Sequence, residues 1–328
     1  MSSWRELDLR IEREAQQHHG AIRRRTLVAL GVSGGAIRAR LDDHRLFRTA
    51  TRGVYAVAAL VDAWTPLVVA LARSESLAAS LEWAAAAYRW DGFDRPPQAT
   101  PTLVCPWTGR PDLRTARRRD LTTDDLRLVH GIRVPHAAWT LATLSESPHV
   151  FADRLEWAVE SALREGHVTG DDLWAHLDGL RSTPSTEALR AVLDRRGPEP
   201  PATGSLLETL TVQRVLRRHS IAVLGRQVDV YERGRFLGRP DFLLEAWTLL
   251  EVDGSQHAGV DHARADRARD LRMRSLGLEV VRVGDTDIDA DGILATRLKQ
   301  LVRHRVALHA EPPPLRRGAL YFDERRLA

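Results

Sequence analysis

The segment Leu249-Leu250-Glu251-Val252-Asp253 limits what this chain can fold into more than any other stretch. Alternation at period two puts Leu250 and Val252 on one face of a strand and Glu251 and Asp253 on the other. Carboxylates at i and i+2 have Cα atoms about 6.6 to 7 Å apart, close enough to share a cation or to bracket one through water. Such a strand needs an apolar layer on one side and a counter-charge on the other. Asp241 lies just upstream, in Gly238-Arg-Pro-Asp-Phe-Leu-Leu244. A tight connection through Ala246 lets an antiparallel neighbour bring Asp241 beside Glu251. Glu208, on a preceding helical stretch, can complete the cluster. A lone Glu-x-Asp pair is ordinarily surface decoration, so the weight falls on the combination.

The surrounding pattern predicts a helix over 205–219, strands over 221–231, 239–245 and 247–253, a helix over 261–276, a strand over 278–283 and a helix over 291–308. That αβββαβα order is an α+β sheet covered by helices. Hard oxygen ligands favour Mg²⁺ or Mn²⁺ over zinc. Cys105 is the only cysteine, which excludes an internal disulfide and a cysteine-based zinc site. His130, His136 and His149 are too scattered to suggest a metal site, and Trp83, Trp90, Trp139 and Trp157 read as core residues.

With 328 residues, the chain has room for two or three domains. Hydrophobic residues at 43% and charged residues at 28% place it among folded globular proteins. No apolar run reaches the roughly eighteen residues of a membrane span, and Met1 to Arg13 is charged rather than signal-like, so the expected address is cytoplasmic without membrane association. Net charge is only +4, but residues 1 to 60 hold eleven arginines against six acidic residues. The excess is concentrated at the N-terminus.

That N-terminal segment predicts helices over 5–19 and 21–30 broken at Gly20, then a glycine-rich turn, Gly31-Val-Ser-Gly-Gly35, and a third helix over 36–44. A short hairpin follows over 46–56, turning near Arg52-Gly53. Arg23, Arg24, Arg25, Arg38, Arg40, Arg45, Arg48 and Arg52 decorate these pieces. A recognition helix starting near Gly35 can lower Arg38 into a major groove while the others contact phosphates. Arg38, Arg40 and Asp42 can equally form a solvated helix face. Further helical patches are expected over 64–73 and 76–89, a strand over 102–106 and more elements over 121–133 and 137–144. Proline and glycine around 198–204 mark a boundary. The predicted division is therefore a winged-helix head (1–60), a mainly helical middle (61–200), a sheet domain (201–310) and a basic tail (311–328), surface-bound or mobile.

Arg25-Thr-Leu-Val-Ala-Leu-Gly-Val-Ser33 through Arg52-Gly-Val-Tyr-Ala-Val57 resembles the winged helix that opens AbiEi-type antitoxin proteins. Gly131-Ile-Arg-Val-Pro135 and Trp139-Thr-Leu-Ala-Thr-Leu144 match the middle part of such proteins loosely. Over about a hundred residues, Pro240-Asp241, Glu251-Val-Asp-Gly-x-x-His257, Asp266-Arg-Ala-Arg-Asp270 and Gly277-Leu-Glu-Val-Val-Arg282 are similar to the very-short-patch-repair (Vsr-like) branch of PD-(D/E)XK endonucleases. That resemblance implies a restriction-endonuclease-like core in which Asp241 matches the metal-binding aspartate and Glu208 the helical glutamate. Glu251 and Asp253 match the (D/E)-x-K strand positions, and His257 lies near a histidine-bearing loop. Asp253 stands where the lysine usually closes the motif, a lysine the Vsr-like branch also lacks.

The expected activity is DNA endonuclease chemistry with Mg²⁺ or Mn²⁺, in-line attack of an activated water on a phosphodiester. Asp241 and Glu251 are then the main ligands, Asp253 and Glu208 support them and His257 is the candidate general base. Arg267 and Arg269 either stabilise phosphate or form helix-surface ion pairs with Asp266 and Asp270. The expected partners are double-stranded DNA and, from the antitoxin likeness, a toxin or other protein. Two other readings stay open: a catalytically silent regulator binding operator DNA, and an interaction protein without nucleic acid.

Overall fold

The computed structural model describes residues 2–106, 115–197, 201–253, 269–308, 316–317 and 320–322. The chain mixes helices with several small sheets, an α+β class. It divides into one unit of Met1–Ala158 with Asp171–Arg190 and another of Val159–Gly170 with Ala191–Ala328. Among the described residues no helix is long and apolar enough to cross a membrane.

The first unit opens with α1 (Ser2–Gln16), β1 (Ala21–Arg23), α2 (Arg24–Ala29), α3 (Gly34–Asp42), β2 (Leu46–Arg48) and β3 (Val54–Val57). The three strands form an antiparallel sheet in the order β1-β3-β2. Residues 21–30 are therefore not one helix. Gly20, at φ +78°, turns the chain against Leu60, whose carbonyl oxygen would stand 2.5 Å from an added Cβ. Ile22 then buries beside Tyr55 and Val57, so strand pairing overrides the helical pattern. Ser33 caps α3, its hydroxyl accepting from Ala36 N at 3.2 Å. The hairpin expected over 46–56 is present as β2 and β3. Ile11, Leu27, Val32, Ile37 and Leu46 close the small core.

Downstream come α4 (Thr65–Leu71), β4 (Ala78–Ala79), α5 (Glu82–Tyr88), β5 (Leu103–Pro106), β6 (Thr115–Arg118), β7 (Leu126–Val129), β8 (Ile132–Pro135) and α6 (Ala137–Leu144). The helix read over 76–89 is shorter, because Ala78 and Ala79 pair with β5 first. Trp83, Trp90 and Trp139 are core residues, each at most 2% exposed, whereas Trp157 is only partly buried. Then follow α7 (Ala152–Arg164), α8 (Gly170–Asp178) and α9 (Pro184–Arg196).

In the second unit α10 (Leu206–Leu210) runs into a π-helical stretch, Thr211–Arg217. The strand expected over 221–231 is broken into β9 (Val223–Arg226) and β10 (Val230–Glu232), with Gln227 at φ +51° between them. After β11 (Arg235–Gly238) come β12 (Phe242–Leu244), β13 (Thr248–Val252), a helix α11 described over 269–275, β14 (Glu279–Val283), α12 (Asp285–Asp289) and α13 (Asp291–Leu308).

The central sheet has the order β14-β13-β12-β9. β9, β12 and β13 are antiparallel neighbours, and β13 pairs with β14 in parallel. Side chains alternate between two cores. Phe242, Leu250 and Val283 pack with Val212, Leu216 and Leu298 on one face. Leu243, Leu249 and Val280 pack with Met273 of α11 on the other. Period two then sends Glu251 to the α11 face. Short strands β15 (Arg316–Arg317) and β16 (Leu320–Phe322) return, and β16 pairs with β10, so this part of the basic tail is tied down by backbone bonds.

Candidate functional site

Glu208 sits in the first turn of α10 and is 6% exposed. Ser205 caps that helix, accepting from Glu208 N at 3.2 Å, and Glu208 Oε2 accepts from Gly204 N at 2.7 Å. The pattern is close to a capping box, a local reason for glutamate at this position. An added Cβ at Gly204 would stand 2.8 Å from Glu208 Oε1, so glycine leaves room for the carboxylate.

Asp241 enters from the residue before β12. Its Oδ2 accepts from Val252 N at 2.7 Å, which fixes the carboxylate against β13 next to Glu251. Between Asp241 and Glu208 stands Gln227. One amide nitrogen, Gln227 Nε2, donates to Glu208 Oε2 and to Asp241 Oδ1, both at 2.9 Å. Gln227 N also donates to Asp241 O at 2.9 Å. The sequence reading missed this residue, because it treated 221–231 as one unbroken strand.

Glu251 is 7% exposed. Arg269 Nη2 reaches both its oxygens at 3.2 Å, and Arg282 Nη2 lies 2.7 Å from Oε2. Arg282 is the direct parallel-strand partner of Glu251. It also binds Asp253 at 2.8 Å and Asp270 at 3.1 Å. Arg282 is thus a central residue whose part in the cluster the motif Gly277-Leu-Glu-Val-Val-Arg282 does not reveal. Asp266 lies outside the described residues, and among those described Arg269 and Asp270 turn to the sheet. They divide between Glu251 and Arg282.

Burial pushes the pKa of Glu208, Asp241 and Glu251 upward. Asp241's charge adds to the rise at Glu208 against hydrogen bonds from Gly204, Ser205 and Gln227. At Asp241 the Val252 and Gln227 donors oppose the rise and Asp253 adds to it. At Glu251, Arg269 and Arg282 oppose it while Asp270 and Asp241 add. Arg282 is held more firmly protonated, chiefly by its bond to Asp270. The four predicted acids and Asp270 are therefore one electrostatic cluster of five carboxylates and two guanidiniums, and the buried acids resist ionising together.

Among the described residues, no three Asp, Glu, His or Cys side chains are spaced to hold a metal ion. The reason is visible between Glu208 and Asp241, where the Gln227 amide occupies the interval, and at Glu251, where Arg269 and Arg282 take both oxygens. In kind and charge the donor set fits a hard divalent cation. His257 and Arg267 lie outside the described residues.

In the first unit Arg24, Arg25, Arg38, Arg48 and Arg52 are exposed and Arg23 is half-buried. Arg40 is a correction. It is 1% exposed, and its guanidinium binds Asp8 of α1 at 2.7 Å and the Ala36 carbonyl at 3.0 Å. It therefore ties α3 to α1 and cannot reach a groove. Arg45 meets Asp8 and Asp43, both at 2.8 Å.

No protein-family model matches the chain. No curated protein matches it either. Among solved structures, the crystal structure of the RV2827C protein from Mycobacterium tuberculosis aligns over 58% of this chain and 78% of that one, at 16% identity and a TM-score of 0.41, a likeness too slight to carry an argument.

Proposed function

We propose that this protein is a divalent-metal-dependent DNA endonuclease, with a winged-helix head that holds duplex DNA and a restriction-endonuclease-like domain of the Vsr-like PD-(D/E)XK type that hydrolyses it. One observation carries the reading: Glu208, Asp241 and Glu251, drawn from a helix, a strand entrance and a strand, are gathered where burial and mutual repulsion raise all three pKa values. A fold rarely retains such a cluster for stability, since uncompensated buried charge is costly. The order α10, β9, β12, β13, α11, β14 and the mixed sheet support the fold assignment. In the head, α1, β1, α2, α3 and the β2–β3 hairpin support the winged helix, with α3 as its recognition helix.

Asp241 and Glu251 are the residues that would hold Mg²⁺ or Mn²⁺, with Glu208 and Asp253 beside them. The ion would lower the pKa of an attacking water and neutralise charge on the scissile phosphate. Gln227 orients Glu208 and Asp241, and Arg269 and Arg282 hold Glu251 in place and supply positive charge for a phosphate. Arg24, Arg25, Arg38, Arg48 and Arg52 supply backbone contacts in the head, with Arg23 beside them.

A second reading is favoured by the guanidiniums on Glu251. With both its oxygens engaged, the protein is a silent, antitoxin-like regulator that binds operator DNA and meets a protein partner. A plasmid nicking assay with Mg²⁺ or Mn²⁺ against chelator separates the two. Metal-dependent nicking by the wild type that disappears in Asp241→Asn is expected. Tight duplex binding with no turnover in either metal selects the regulator instead.

A further inference from the structure

We propose that a cleft in the first unit, lined by Arg23, Arg25 and Arg133, binds a phosphate group, presented by a nucleic-acid backbone or by a free nucleotide. The cleft encloses about 340 Å³, at the small end of the roughly 300 to 1,000 Å³ typical of ligand pockets. Buried Ile22 and Leu71 line it together with the three arginines and, among the described residues, one carboxylate, Glu75.

Arg133 is a fixed point. Its Nη1 donates to the Leu77 carbonyl at 3.0 Å and the Ser74 carbonyl at 3.3 Å. Those bonds use one nitrogen of the guanidinium and leave its other edge to a ligand. Among the described residues, neither the Arg23 nor the Arg25 side chain has a hydrogen-bond or ion-pair partner. Four arginines of the same unit are paired instead. Arg40, Arg45, Arg118 and Arg154 each hold a carboxylate within 2.9 Å.

Burial lowers the Arg133 pKa, and the like charge of Arg23 lowers it further while Glu75 opposes. Three cations against one anion on a partly apolar cleft leave two positive charges uncompensated. The dianionic terminal phosphate of a nucleotide, or two adjacent backbone phosphodiesters at one charge each, supplies that charge, and the oxygens of either match the guanidinium fork. Because Arg133 lies outside the N-terminal head, the cleft is more than the groove contacts expected of a winged helix. The inference stands apart from the acidic cluster and needs neither metal nor cleavage.

The test measures equilibrium binding, in chelator and low salt, of a labelled short DNA duplex and of a fluorescent nucleoside monophosphate to the full chain. Arg133→Gln is expected to weaken the responding probe roughly tenfold. Glu75→Gln removes the opposing charge that lines the cleft and is expected to tighten it about threefold. Since Arg133 also braces two carbonyls, thermal unfolding checks that its variant is folded, and Glu75→Gln carries the test if it is not. A response confined to the duplex assigns the backbone as the source, and a response of the mononucleotide assigns a free nucleotide. If neither probe binds the wild type, or if both bind the two variants as they bind the wild type, the cleft is not a phosphate site.

Discussion

Two buried glutamates of the second unit face opposite situations. Glu160 on α7, 1% exposed, lies 3.1 Å from Arg196 and 3.5 Å from Arg226, and accepts from Thr203 N at 3.1 Å. Glu208, 6% exposed, has as its charged neighbour another carboxylate, Asp241, with only neutral donors on its oxygens. The first acid is matched within the fold and belongs to its structure. The second is buried beside a like charge with no cation on its oxygens, the contrast on which the proposed metal site rests.

That contrast breaks most sharply at Asp241. Asp241→Asn keeps the size of the side chain and one of its two accepted bonds, its amide nitrogen then facing either Val252 N or Gln227 Nε2, and should reduce metal-dependent nicking roughly a thousandfold. An unchanged nicking rate would return the acidic cluster to a structural role. Next in size is a pair of stabilities read by denaturant unfolding. Glu160→Gln should lose about 3 kcal/mol, because the guanidiniums of Arg196 and Arg226 lose a buried charged acceptor. Glu208→Gln should stay within about 1 kcal/mol of wild type, since glutamine preserves the cap and removes an uncompensated charge. Equal losses would erase the distinction.

In the head the same distinction separates two arginines on one helix. Arg40→Gln should cost about 2 kcal/mol, since Asp8 and a buried guanidinium site lose each other. It should leave the salt dependence of duplex binding unchanged.

The effect of pH on the acids follows from the sign of their shifts. Their folded-state pKa values lie above the ordinary 3.8 of Asp241 and 4.5 of Glu208 and Glu251. Their contribution to stability is therefore complete below those ordinary values and is lost as pH rises through the raised ones. A bound cation requires the ionised forms, so manganese should raise the unfolding temperature by about 3 °C at around pH 8 and far less at around pH 5. A shift independent of pH would detach metal binding from this cluster. Smallest is Arg38→Gln, which should leave the unfolding temperature alone and lower the salt slope of duplex binding by about one.

What the sequence made legible is what local period controls. The alternation at 249–253 placed Leu250 in one core and Leu249 in the other, with Glu251 beside α11. Tertiary partners were not legible in the same way. Arg282 meets Glu251 because β14 runs parallel to β13 in one particular register, which no nearby residue announces. Arg40 looked like its neighbour Arg38 until α1 brought Asp8 to it. Gln227 was hidden by a left-handed break inside an apparently continuous strand. The head misled at 21–30, where good helix formers join a sheet because Ile22 has a core to enter.

The lone amide between Glu208 and Asp241 makes the acidic cluster unequal at its two ends. A neutral donor shared by two acceptors can swing aside at the cost of two hydrogen bonds, whereas parting Glu251 from its guanidiniums also separates opposite charges. An incoming cation would therefore find its cheaper doorway on the helix side of the sheet. On the strand side Glu251 stays bolted by Arg269 and Arg282.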